Sequence, residues 1–360
     1  MSPIVTEEAV LEALKRVEDP ELHRDVVSLG MIQDLKVNQD AVTLSLVLTT
    51  PACPVREKFQ SDVYNAVAGI PGVKKVTLNT RAMVMASRPF ANQGMPGVRN
   101  VVAVASGKGG VGKTTVSVNI AVALAKEGAR VGLMDADIYG PNVPLMMSLK
   151  TLPPLKGDKI VPAENFGVKV MSMGFLIKPE EAVIWRGPML HGTVNKFLKE
   201  VLWGELDYLL VDLCPGTGDV QLSLSQSIPL TGALIVTTPQ DVSLLDVRKA
   251  ISMFEKVKVP ILGIVENMSG FVCPHCGEAT EIFDKGGGER AAESLKIPFL
   301  GAIPLVPEVR TGSDTGHPIV LTHPESSASQ ALIQAARKLA GQVSIVAANE
   351  TQKKNEVWKL

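Results

Sequence analysis

The run VVAVASGKGGVGKTTVSVNIAVALAKEG, residues 101–128, constrains this chain more than any other feature. It fits G-x-x-x-x-G-K-[ST] from Gly107 to Thr114, with an apolar strand directly before it and a helix directly after, the context such a motif requires. The glycines let successive backbone N–H groups wrap a phosphate chain. Lys113 places a cation on the β and γ oxygens, and the Thr114 hydroxyl can ligate Mg2+. The phosphate chain of a nucleotide, held along Gly107, Lys108, Gly109, Gly110, Val111, Gly112, Lys113, Thr114 and Thr115, is the expected ligand.

From Val101 onward, short apolar strands alternate with helices: VVAVA, VGLMD, VKVMSM, YLLVD, GALIVTT, ILGIVEN and FLGAIP. Strands covered on both faces by crossover helices read this way, so residues 100–345 should form an α/β, doubly wound, mostly parallel sheet of about seven strands. Residues 1–85 read as a separate small α+β domain of α-β-β-α-β order. Thr6 caps a helix carrying Val10, Ala13, Leu14 and Val17 that ends at Asp19-Pro20. Val42, Leu44, Leu46 and Leu48 alternate in AVTLSLVL, Pro54 opens a second helix with Phe59, Val63 and Ala66 inside, and a strand lies near Val73–Val84. Residues 86–99, rich in Pro and Gly, read as a linker, and the polar stretch 346–360 as a fraying tail.

The 360 residues carry 36 Lys plus Arg against 37 Asp plus Glu, a net charge of -1, which removes any bulk attraction to nucleic acid or an anionic membrane. The first 95 residues, with 10 basic and 11 acidic side chains, are no nucleic-acid clamp either. No apolar run approaches the roughly 18 residues of a membrane span. The opening MSPIVTEEAV is acidic where a secretory signal is basic, and four cysteines are too few for a disulfide scaffold. A soluble protein of a reducing compartment, the cytoplasm, is expected, with its cysteines as thiols or metal ligands.

Lys108 gives the motif the form K-G-G-x-G-K-[ST], which resembles the deviant Walker A motif shared by the nitrogenase iron protein, septum-site and plasmid-partition ATPases and arsenite pump ATPases. The resemblance implies a homodimer in which Lys108 reaches the partner's nucleotide. It also implies that Asp135 joins the Mg2+ shell, that Asp137 or its neighbour orients the attacking water, that Asp212 is a Walker B carboxylate and that Asn267 contacts adenine. Asp137 capping the following IYGPN turn, and Asn267 stabilising a turn, are the competing local readings. Lys108, Lys113 and Asp137 are the candidate catalytic residues.

Cys273 and Cys276 in SGFVCPHCGEAT form C-x-x-C in a Gly- and Pro-containing loop, a spacing that turns two thiolates toward one metal. Two ligands are half a site. The rest must come from Cys53, Cys214, His275 or the same pair on another subunit; half a zinc knuckle and a redox dithiol are the alternatives. The deviant Walker A motif, DADIYGPN, PGTGD, ENMSGFVCPHCG and GAIPLVPEVRTGSDTGHP, in this order, resemble the Mrp/ApbC family of iron-sulfur cluster carrier ATPases. DPELHRDVVSLGMI and LTTPACPV are similar to the small iron-sulfur assembly domain often fused in front of it, with Cys53 as its cysteine.

That likeness implies a homodimer holding a four-iron, four-sulfur cluster through Cys273 and Cys276 of each subunit, slow ATP hydrolysis, and delivery of the cluster to apo iron-sulfur proteins. One residue departs from the pattern: Cys214 stands where the family has the first Pro of DLPPGTGD, which could loosen the loop or simply place a small apolar group there. The competing function is a MinD/ParA-like positioning ATPase with a structural zinc. Against it, SIVAANETQKKNEVWKL lacks the sustained apolar face of a membrane-seeking helix.

Overall fold

The computed structural model describes residues 5–87, 95–176, 187–273 and 275–357. The N-terminal unit contains α1 (Glu7–Leu14), β1 (Glu18–Asp19), β2 (Arg24–Asp25), β3 (Ile32–Asn38), β4 (Ala41–Leu48), α2 (Arg56–Ala68) and β5 (Lys75–Ala82). Thr6 Oγ1 accepts from the Ala9 N–H and caps α1, whose Val10 and Leu14 are buried. The helix stops at Leu14, short of the expected Asp19-Pro20, because Asp19 folds the next segment back by accepting from the N–H groups of Glu21 and Leu22. β4 is central, antiparallel to β3 and parallel to β5. Its alternating Val42, Leu44, Leu46 and Leu48 meet Phe59, Val63 and Val67 of α2 in one apolar cluster, against which Ala66 packs half-buried as expected.

The second unit continues with β6 (Val101–Ala105), α3 (Lys113–Lys126), β7 (Val131–Asp135), α4 (Val143–Met146), β8 (Ala163–Asn165), β9 (Val168–Ser172) and α5 (Gly187–Glu200). Next come β10 (Tyr208–Asp212), α6 (Asp219–Ser227), β11 (Gly232–Thr237), α7 (Asp241–Lys256), β12 (Ile261–Val272), β13 (Ala279–Thr280) and α8 (Gly287–Leu295). The chain closes with β14 (Phe299–Leu305), α9 (Pro307–Thr315), α10 (Ile319–Thr322) and α11 (Ser327–Val357).

The sheet runs β13-β12-β11-β6-β10-β7-β9-β8, with β14 also paired to β12. Its seven expected strands are parallel; β8 and β13 add short antiparallel partners to β9 and β12. Alternate residues of β6 enter different cores. Val102 and Val104 join the cluster that includes α3 and α11, whereas Val101, Ala103 and Ala105 join the one that includes α5, α6 and α7. This two-sided burial is why these strands read as continuous apolar runs.

Two expectations at the margins change. Met95 and Val98 are buried, and Val98 bridges to Leu206, so the end of the expected linker packs on the second unit; residues 88–94 lie outside the described residues. α11 continues through 346 to Val357, because Ala, Gln, Glu and Lys favour helix and Ala347 is still buried in the core. Among the described residues no helix is long and apolar enough to cross a membrane.

Candidate functional site

Parallel strands bring their carboxyl ends together along one edge, and the candidate residues gather there. Ser106 to Gly112 link β6 to α3, with Gly110 (φ 79°) and Gly112 (φ 78°) in the left-handed conformation that glycine tolerates. A Cβ on Gly112 would lie 2.2 Å from Asn267 Nδ2, and one on Gly107 would lie 2.4 Å from the Asp246 backbone, so both sites also need glycine for close approach. The loop encloses a cleft of about 380 Å³ lined by Lys108 to Thr115 and by Asp137, Tyr139, Asn142 and Pro215.

One cation and three carboxylates meet beneath it. Lys113 Nζ lies 2.7 Å from Asp212 Oδ2 and 3.8 Å from Asp137 Oδ2. Asp212 also accepts from Thr114 Oγ1 (2.7 Å) and Ser117 Oγ (2.5 Å). Strand register sets Asp135 directly beside Asp212, and Asp135 accepts from Ser172 Oγ and from the Asp137 and Val143 N–H groups. Full burial and the nearby Asp212 charge push Asp135 up to about 8. Burial alone would lower the Lys113 ammonium, but Asp212, with Asp137 and Asp135, more than offsets this and leaves its pKa raised. Burial likewise raises Asp137, against the pull of Lys113.

The turn-capping reading of Asp137 has a physical counterpart. Its Oδ1 accepts from the Tyr139 N–H and caps the turn, while its Oδ2 faces Lys113. Asn267 donates from Nδ2 to the Val111 carbonyl at 2.9 Å. With Met268, Pro304, Val306, Val309 and Arg310 it walls a second, more apolar cleft of about 290 Å³, joined to the first through Gly112, Thr115 and Met146.

Ser117 and Ser172 are the polar partners that motif reading passes over. Ser117 lies one helical turn beyond Lys113, and Ser172 is opposite Asp135 by β7–β9 register, so only the assembled sheet identifies the latter. Cys214 is 2 % exposed, its thiol donates to the Ala136 carbonyl at 3.3 Å, and burial pushes its pKa up to about 12. It behaves as a small apolar group, and the adjoining Gly216 N–H still ties the loop to the Ser106 carbonyl.

The cysteine pair sits where β12 turns into β13. The Cys273 N–H donates to the Glu278 carbonyl and the Gly277 N–H to the Cys273 carbonyl, both at 2.9 Å. Hydrogen bonds to the Cys273 sulfur from the Cys276 and His275 backbone N–H groups and from the Cys276 thiol hold its pKa below the usual thiol range. Cys276 is exposed, and so are the neighbouring Val272 and Ile282. Cys53 lies in the N-terminal unit, in a cleft lined by Arg56, Glu127 and Arg337, with burial pushing its thiol up to about 11. Among the described residues no three His, Cys, Asp or Glu side chains converge as a metal-binding group.

Between Asn267 and Cys273, β12 is irregular. From the Asn267–Ile303 pair to the Phe271–Leu305 pair it advances four residues while β14 advances two. Met268 (φ 59°) and Gly270 (φ 67°) are left-handed, and the 6 % exposed Ser269 has an Oγ with no hydrogen-bond partner among the described residues. A left-handed methionine costs about 1–2 kcal/mol.

Residues 97–340 match the family model described as ParA, the NUBPL iron-transfer P-loop NTPase, and residues 7–78 match that of an iron-sulfur cluster assembly protein. The chain is 49 % identical to the iron-sulfur cluster carrier protein of Synechocystis, covering 96 % of this chain and 99 % of that protein. Identity to the iron-sulfur cluster carrier protein of Deinococcus radiodurans is 52 %, over 94 % and 96 %. Among solved structures, the nucleotide-binding protein of Archaeoglobus fulgidus in complex with ADP is 40 % identical, with a TM-score of 0.58 over 66 % of this chain and 93 % of that one. On a shared P-loop architecture and identity along nearly its whole length, this chain belongs to the NUBPL iron-transfer P-loop NTPase family.

Proposed function

We propose that this protein is an iron-sulfur cluster carrier that hydrolyses ATP, works as a homodimer in the cytoplasm and passes its cluster to apo iron-sulfur proteins. The observation that carries the reading is a complete phosphate cleft in a chain that also presents half a thiolate site, a tight turn with Cys273 held toward its thiolate. The names of the relatives point the same way. Two copies of the turn about a two-fold axis supply four sulfurs, the usual ligand set of a four-iron, four-sulfur cluster. Separating the copies halves that set, which fits a cargo that must be released.

The ATP half follows from charge. Lys113 exchanges Asp212 for the β and γ oxygens when a triphosphate enters, the backbone N–H groups of Gly109 to Lys113 cradle the phosphates, and the base lies against Asn267 and Met268. Thr114 Oγ1 and Asp212 Oδ2, 2.7 Å apart, suit Mg2+, with Asp135 behind them; bound Mg2+ neutralises phosphate charge. Asp137, fixed by the Tyr139 N–H and raised by burial, is placed to orient and deprotonate the attacking water. Lys108 reaches the nucleotide of the second copy.

The septum-site reading is disfavoured by α11, whose Leu332, Leu339 and Val343 are already buried in the core rather than free for a bilayer. The decisive test is anaerobic reconstitution with iron and sulfide. Wild-type protein should gain iron, equimolar sulfide and the visible absorbance of a thiolate-bound cluster, and Cys273→Ala or Cys276→Ala should abolish all three. Zinc alone, or a full cluster in either variant, overturns the proposal.

A further inference from the structure

β12 touches the phosphate loop and ends at Val272, directly before the first cysteine of the pair. Asn267 bonds the Val111 carbonyl, and Met268 lines the second cleft together with Gly112. Five residues after Met268 the same strand ends in the Cys273 turn. The segment between them is not a regular ladder. It holds two residues beyond those needed to match β14, two left-handed residues of which one is Met268, and a buried hydroxyl with no partner among the described residues.

A strand whose only duty was to end a sheet would close this gap with regular pairing. Strain of this kind, together with a polar group left unpaired in a buried place, persists where the surroundings impose it, and it marks a segment with a second arrangement close in free energy. Here the phosphate loop is an immediate neighbour, since the Val111 carbonyl accepts from Asn267 at the start of the irregular segment.

We propose that Met268, Ser269 and Gly270 are positioning residues that set the Cys273–Cys276 turn according to the occupant of the phosphate loop. Gripping of the phosphates moves Val111 and Gly112 against Asn267 and Met268, the irregular segment re-registers on β14, and the turn that holds Cys273 changes its N–H contacts to the sulfur. The inference rests on the reading that Cys273 and Cys276 hold the cluster, but its test needs no cluster.

The test is alkylation of the reduced, metal-free full-length protein with iodoacetamide, with the rate at Cys273 followed by mass spectrometry alone, with Mg-ADP and with a non-hydrolysable Mg-ATP analogue. In the wild type, nucleotide should change that rate by about fivefold or more, the scale of an ordinary coupling between sites. Ser269→Ala lines neither cleft and removes the hydroxyl that gains a partner only on rearrangement, so it should keep nucleotide affinity while losing most of the response. Gly270→Ala, strained at φ 67°, should lose the response altogether.

A merely structural segment would alter Cys273 reactivity equally with and without nucleotide. Wild-type rates that do not depend on nucleotide overturn the proposal, as does a wild-type response in Ser269→Ala, whether or not Gly270→Ala folds. Failure of the carrier reading appears separately, as absence of iron and sulfide after reconstitution.

Discussion

Lys113 Nζ and Asp212 Oδ2 are 2.7 Å apart in a pocket where the aspartate is fully buried and a second carboxylate, Asp135, lies alongside in register. The lysine is therefore both the phosphate-binding cation and the counter-charge of the site. Lys113→Ala should lower ATP turnover by about 10²- to 10³-fold, as removal of a transition-state donor does, and should also lower the melting temperature, because buried carboxylates lose their cation. Phosphate release and a thermal melt check the two effects. Cluster content after reconstitution should stay at the wild-type level, since Cys273 and Cys276 are untouched; unchanged turnover would remove Lys113 from the phosphate site.

Gly112 is constrained twice, by φ 78° and by Asn267 Nδ2 at 2.2 Å from where a Cβ would stand. Gly112→Ala should push Asn267 off the Val111 carbonyl, distort the phosphate loop and weaken ADP binding by about tenfold or more, in line with a strain of 1–3 kcal/mol. Calorimetric titration with Mg-ADP measures this. Gly128→Ala, also left-handed (φ 95°) but with open space around it and lining neither cleft of the phosphate site, should leave the affinity unchanged.

The sheet was readable because β6, β7, β10 and β11 are buried on both faces and therefore written in apolar letters. β8 and β13, with 3 and 2 residues, carry no such signal; pairing to a neighbour alone makes them strands. The same divide runs through the site. Gly107 to Thr114 is a local pattern whose phosphate chemistry is fixed by spacing, and the Cys273–Cys276 spacing is likewise local, marking paired thiols without saying what they hold. Ser172 bonds Asp135 only because β9 pairs beside β7, and the left-handed Met268 sits where β12 falls out of register with β14, with no trace in the residue types around it.

Cys214 and the Cys273–Cys276 pair should separate cleanly by reactivity. The Cys214 thiol is buried, bonded to Ala136 and pushed up to about 12, so almost none of it is thiolate at neutral pH. Cys273 is held toward its thiolate at the surface, while burial sets Cys53 at about 11. Brief iodoacetamide treatment of the reduced native protein, followed by peptide mapping, should label Cys273 first, Cys53 slowly and Cys214 only after denaturation. Rapid native labelling of Cys214 would show the loop after Asp212 to be open. Cys214→Pro, the residue usual in the family, should then leave turnover within about twofold, since no hydrogen bond to nucleotide is lost.

Glu21 joins the two units and should make their docking sensitive to pH. Its carboxylate lies over Gly341 of α11, where a Cβ would stand only 2.3 Å from Oε1. Burial, with Asp19 beside it, pushes Glu21 from 4.5 up to about 7, and its charge in turn bears on Cys53 and Tyr208. Between these values the folded protein keeps a proton that the unfolded chain has released, so the Glu21 contribution to stability is intact below about pH 4.5 and falls as pH rises to about 7. Glu21→Gln, which keeps the shape and cannot ionise, should therefore unfold at higher urea than wild type at pH 8, by on the order of 1–3 kcal/mol, with the gap closing toward pH 4.5. Parallel urea titrations of the two proteins at several pH values measure the gap directly. A gap independent of pH would mean that Glu21 ionises freely and that α11 does not bury it.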